Sequence, residues 1–126
     1  IYKGVFNDNS RSHFDSVVYV NRDAQKTSSK QQNNSIILSD SVSVMSDPQL
    51  EIFADDVKCA HGSTIGQIDP NALFYLQSRG IGKKEGVAML LQGFLCDVID
   101  EIADLKLRKF TLNEFHKILS TKHYYE

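Results

Sequence analysis

The sequence predicts an α+β chain, mostly β at first and then α, with the change falling in residues 50–66, LEIFADDVKCAHGSTIG. Three observations carry this expectation. The first half holds short β-branched and apolar runs alternating with period two, separated by Asn, Asp, Ser and Gly that close turns readily. The second half repeats apolar residues at helical spacing, between helix-starting and helix-stopping residues. Between the two lies the chain's only close pairing of a thiol with an imidazole, Cys59 and His61. The expected division is residues 1–66 and residues 67–126.

Composition narrows the function classes. The chain has 126 residues, 24% of them charged, and a formal charge of −2. Acids and bases are interspersed, which argues against the clustered Lys and Arg of a nucleic-acid surface. No apolar run approaches the roughly 20 residues of a membrane-crossing helix. The opening residues IYKGVFNDNS lack the basic and apolar stretches of a secretory signal. Entry through Ile1 into a strand-like Gly4-Val5-Phe6 suggests the tail of something longer. Two cysteines, Cys59 and Cys96, make no disulfide framework, so reduced thiols in a cytosol-like compartment are expected.

Strands are expected around residues 17–20, 36–38, 42–44, 50–53 and 57–59. Several are only three residues long, which favours stacking on equivalent rungs in a solenoid, a parallel β-helix in particular. No fixed-period repeat is visible, so a β-sandwich stays open at this point. Residues 21–35, NRDAQKTSSKQQNNS, contain one Ala and otherwise polar side chains. A solvated excursion or long turn is expected there in preference to a binding loop, and its Gln and Asn could also form ladders between stacked rungs.

Asp69-Pro70 supplies an N-cap and a first-turn proline for a helix over residues 71–79, and Gly80 ends it. A long helix over residues 83–103 places Val87, Leu90, Leu91, Phe94, Leu95, Val98 and Ile102 on one wide apolar face. Opposite runs a weaker stripe of Met89, Cys96 and Ala103, with Gly86 and Gly93 nearby. That stripe packs on a neighbouring helix or meets a partner, and Arg79, Met89, Gly93 and Cys96 are the candidate partner-binding residues. A third helix is expected over residues 112–122, with Thr111 and Glu114 as a capping box and Phe115, Ile118 and Leu119 as its apolar face. His116 and His123, without a third ligand nearby, read as solvent-facing.

The strings LEIFADDVKCAHGSTIGQID, ALFYLQSRGI and GFLCDVIDEI, with GVFN and NNSIILSD before them, resemble the C-terminal part of the SufB/SufD family of iron–sulfur cluster assembly proteins. The resemblance covers roughly residues 4–102. It is nearer the SufD branch, because Gly62 follows His61 where SufB carries an acidic residue. The SufB cysteine expected near residues 32–34 is also missing. The resemblance implies right-handed parallel β-helix rungs followed by a C-terminal helical domain. It further implies pairing with SufB, docking of the ATPase SufC on the helices, and a transient iron–sulfur cluster at a subunit interface.

On this resemblance His61 matches a family histidine at the subunit interface, and Cys59 its neighbouring cysteine. The chemistry agrees: thiolate and neutral imidazole suit iron, and two residues apart on a strand they share a face. Two ligands leave the rest to a partner, so this chain alone should bind no cluster tightly. No Walker-type phosphate loop is present, and no catalytic residues are assigned. Two alternatives stand beside the scaffold reading. One is a structural pairing module without cluster contact, able to form a homodimer in isolation. The other is a thiol enzyme with Cys59 as nucleophile, His61 or His13 as base and Asp55 or Asp56 as orienting group. A cytoplasmic location is expected, or a plastid stroma if a transit peptide precedes the chain.

Overall fold

The structure, a computed structural model, describes the backbone of residues 1–121 and the side chains of residues 1–117. His123 and the side chains of Ile118 and Leu119 lie outside the described residues. The elements run β1 (Tyr2–Phe6), β2 (Arg11–Val20), β3 (Ser28–Ile37), β4 (Ser43–Ile52), β5 (Lys58–Gly66), α1 (Pro70–Ser78), α2 (Lys83–Asp100) and α3 (Leu105–Thr121). They form two compact units, Ile1–Gly66 and Gln67–Glu126.

In the first unit the chain alternates between two all-parallel sheets, one ordered β1-β3-β5 and the other β2-β4. Each strand pairs with the strand two before it. The registers Tyr2↔Asn33, Arg11↔Ser43 and Ser28↔Lys58 correspond to offsets of 31, 32 and 30 residues. The corners stack too: Leu38 N donates to Phe6 O, Phe53 N to Val20 O and Lys58 N to Thr27 O. The unit is thus periodic in its backbone bonds and not in its residue identities.

Alternation sets which side chains face inward. On β2 the even-numbered residues Ser12, Phe14, Ser16, Val18 and Val20 are covered and the odd-numbered ones are exposed. Tyr2 meets Phe14 with ring centroids 4.8 Å apart. Gln31 Nε2 donates to Ser16 Oγ at 2.8 Å, and Asn33 Nδ2 donates to Ser46 Oγ at 2.9 Å. These contacts bridge the sheets. Beside the buried apolar Val20 and Ala54, the interior holds buried Asn33 and Ser35.

The polar stretch 21–35 therefore departs from expectation. Most of it is not a solvated excursion but the first part of β3, the central strand of its sheet. The amide N–H groups of its inward Gln31 and Asn33 are met by Ser16 and Ser46 of the opposite sheet, so a covered strand forms without an apolar face. The runs at 42–44 and 50–53 belong largely to one strand, β4, continuous through Pro48. An edge strand is where a sheet tolerates a proline, which has no N–H to donate.

The helical unit follows its punctuation closely. Asp69 accepts from Asn71 N at 2.9 Å with Pro70 in the first turn of α1. Gly80, at φ 86°, closes α1, with Gly80 N donating to Gln77 O and Ile81 N to Leu76 O. This is a Schellman end, the left-handed closure that suits glycine. Gly86 lies buried against Leu73 and Leu76 of α1, where a methyl group would come within 3.0 Å of Leu73 Cδ1. It lies on the side of α2 that packs against α1. Helix α2 ends at Asp100, so Ala103 lies beyond it.

Helix α3 starts earlier than expected. Asp104 Oδ1 accepts from Lys106 N and Leu107 N, so the cap is Asp104 and not Thr111. Arg108 Nε donates to Ile102 O, and Gln92 and His116 hydrogen-bond at 2.9 Å, joining α2 to α3. Among the described residues no helix is long and apolar enough to cross a membrane.

Candidate functional site

Cys59 and His61 lie on β5, the last strand of its sheet, paired with β3 through Ser29↔Cys59, Gln31↔His61 and Asn33↔Ser63. Neighbours in register on parallel strands share a face of the sheet. Gln31 and Asn33 point between the sheets, so Cys59, His61 and Ser63 point there as well. Ser63 Oγ confirms this independently by donating to Ser46 Oγ of β4 at 2.8 Å. The two candidate ligands are therefore on one inward-facing row.

That row opens to solvent. Cys59 is half-buried, while every residue from Ala60 to Gly66 is exposed, because no further strand covers β5 among the described residues. Both cysteines are free thiols. Among the described residues, no group of three or more His, Cys, Asp or Glu is arranged to hold a metal ion. Cys59 and His61 thus place one soft sulfur and one imidazole on an inward-facing row that is left uncovered at the end of the stack. A thiolate and an imidazole suit iron, but a closed site needs donors from elsewhere.

The other residues singled out from sequence lie apart from this pair. His13 is on the outward face of β2, its Nε2 2.7 Å from Asp47 Oδ2. It occupies the other sheet and the wrong face to serve Cys59 as a base. Asp56 lies in the turn before β5, where its backbone N–H donates to Gln25 Oε1 and its carbonyl accepts from Lys26 N. On α2, Met89 and Gly93 are exposed and Cys96 is half-buried, on one stripe at helical spacing. Burial first, then the carboxylates of Asp100 and Asp97, push the Cys96 thiol above its ordinary pKa. Arg79 caps α1, its guanidinium 5.2 Å from the centroid of the Tyr75 ring.

Sequence reading missed Gln31 as a neighbour of His61. The two are 30 residues apart, and only the register brings them side by side. The suggestion of Gln and Asn ladders was the available signal, and Thr64 Oγ1 donating to Asn34 Oδ1 at 2.9 Å is one such cross-strand contact.

Residues 1–94 fit the family model described as SUF system FeS cluster assembly, SufBD core domain, and the chain belongs to that family. The likeness to its SufD branch is borne out by individual relatives. The iron–sulfur cluster assembly protein SufD of Escherichia coli (strain K12) is 36% identical over 112 residues, 89% of this chain and 26% of that protein. SufD of Bacillus subtilis (strain 168) is 34% identical over 99 residues, 79% of this chain and 23% of that protein. Protein ABCI7, chloroplastic, of Arabidopsis thaliana is 35% identical over 115 residues, 91% of this chain and 24% of that protein. The chain spans about a quarter of the length of these relatives.

Proposed function

We propose that this chain is part of a scaffold subunit on which iron–sulfur clusters are assembled, with the nascent cluster as cargo. Family membership supports the process. One observation carries the local role: Cys59 and His61 share a face at the uncovered end of the stack, with no third donor among the described residues. Such a half-site is completed by a partner, and SufB is the partner the resemblance names. The strand stack is read as rungs of a right-handed parallel β-helix whose β5 end meets that partner. The helical unit docks the ATPase SufC, with Arg79, Met89, Gly93 and Cys96 as contact candidates. The subunit positions cargo and is not itself a catalyst. It works in the cytoplasm or a plastid stroma and holds no cluster tightly alone.

A pairing module without cluster contact is the second reading, favoured by the free edge of β5, which can template another strand. It also allows a homodimer in isolation. Anaerobic reconstitution of the full-length protein with SufB and SufC separates the two. Under the scaffold reading, His61→Ala leaves complex formation on gel filtration intact and lowers cluster absorbance, and Cys59→Ala behaves alike. Wild-type cluster yield in both variants would leave only the pairing role.

A further inference from the structure

The side chain of Gln31 is held from one end. Its Nε2 donates to Ser16 Oγ at 2.8 Å across the space between the sheets, which fixes the amide plane. Its Oε1 is buried and has no hydrogen-bond partner. A buried amide oxygen left unpaired forgoes the hydrogen bonds it had in water, so native structures seldom leave one without reason. The residue beside it in register, on the same inward face of β5, is His61. Adjacent strands lie about 4.8 Å apart, within reach of two long side chains on one face. The imidazole is exposed, and its ring N–H is the kind of donor that Gln31 Oε1 lacks.

We propose that Gln31 is a positioning residue for His61: Oε1 accepts one ring N–H and fixes the tautomer, leaving the other ring nitrogen as a lone-pair donor for iron. Metal-bound histidines commonly donate their second N–H to an oxygen acceptor, and loss of that acceptor weakens metal binding by about 10–100-fold. Ser16 holds the acceptor and Gln31 orients the ligand, so a residue of the opposite sheet sets the geometry at the end of the stack. The iron part of this inference rests on the scaffold reading; the contact itself does not.

The test has two arms. In metal-free full-length protein with isotope-labelled histidine, the imidazole nitrogen shifts of His61 report its tautomer. Wild type should show one tautomer. Gln31→Met, of similar length without the amide, should show a mixture, and Gln31→Glu, which keeps an oxygen acceptor, should restore the single form. Ser16→Ala, which unpins the amide, should give a partial mixture and serves if Gln31→Met does not fold. Identical spectra in wild type and in the folded variants that remove or unpin the amide would overturn the contact.

The second arm measures ferrous iron binding by the assembled complex. Gln31→Met should lose about 10–100-fold in affinity and Gln31→Glu should recover it. Unchanged affinity in Gln31→Met, with binding lost in His61→Ala, would overturn the positioning role and leave His61 a ligand. Unchanged binding in His61→Ala would overturn the iron role of both residues, while the spectra still judge the contact.

Discussion

Two glycines in α2 form a matched pair whose alanine variants should differ in sign. Gly93 is exposed, and a Cβ built there meets nothing within 4 Å. Gly93→Ala should therefore deliver the ordinary helix-propensity gain of about 0.8–1 kcal/mol. At Gly86 the same gain is opposed. The added methyl would lie 3.0 Å from Leu73 Cδ1, 3.6 Å from Leu76 Cβ and 3.7 Å from Leu76 Cδ1. Overpacking of this kind costs about 1–3 kcal/mol. Gly86→Ala should thus be neutral to about 2 kcal/mol destabilising, and at least about 1 kcal/mol worse than Gly93→Ala. Urea unfolding followed by circular dichroism at 222 nm reads the helices directly. A double-mutant cycle with Leu73→Ala locates the cause, because removing the opposing Cδ1 should return the gain at Gly86. Stabilisation by Gly86→Ala equal to that by Gly93→Ala would refute a Leu73 side chain held fixed against Gly86.

Ser46→Ala removes the oxygen that accepts from both buried Asn33 and exposed Ser63. It should destabilise the strand unit by about 1–3 kcal/mol, nearly all from the stranded Asn33 amide; denaturation of the variant measures this. Gly80→Ala forces a Cβ into the left-handed region at φ 86° and should cost about 1–2 kcal/mol in thermal unfolding. The raised Cys96 pKa means that less thiolate exists at a given pH than for an ordinary thiol. Alkylation should therefore need more alkaline pH, and Asp100→Asn or Asp97→Asn, by removing a negative neighbour, should move its midpoint downward. Mass spectrometry of Cys96 modification against pH checks the direction.

Legibility from sequence followed the locality of the signal. Helix α1 was readable because Asp69, Pro70 and Gly80 act on backbone groups within a few residues of themselves. The shared face of Cys59 and His61 followed from strand period alone. Which way that face points did not, since it depends on a register set by Ser28↔Lys58 pairing across 30 residues. Strand β3 was hidden because its inward positions are polar and answered by Ser16 and Ser46, so the pattern that marks burial was missing. Strand β4 looked like two strands because Pro48 interrupts it. Helix α3 began early because Asp104 bonds the first-turn amides before the more conspicuous Thr111 is reached.

The offsets of 30 to 32 residues also carry a cost in chain entropy. Every strand pairing closes a loop of that length, at an entropy cost of about 3 kcal/mol before later contacts reward it. Stacked strands can nucleate at any neighbouring pair and add outward from it. β5, like β1, is an edge of its sheet, with β3 as its one neighbour. Amide exchange in its ladder should report an opening free energy below that of global unfolding. The row bearing Cys59 and His61 is thus carried on an edge strand, and a partner that adds a strand there would slow its opening.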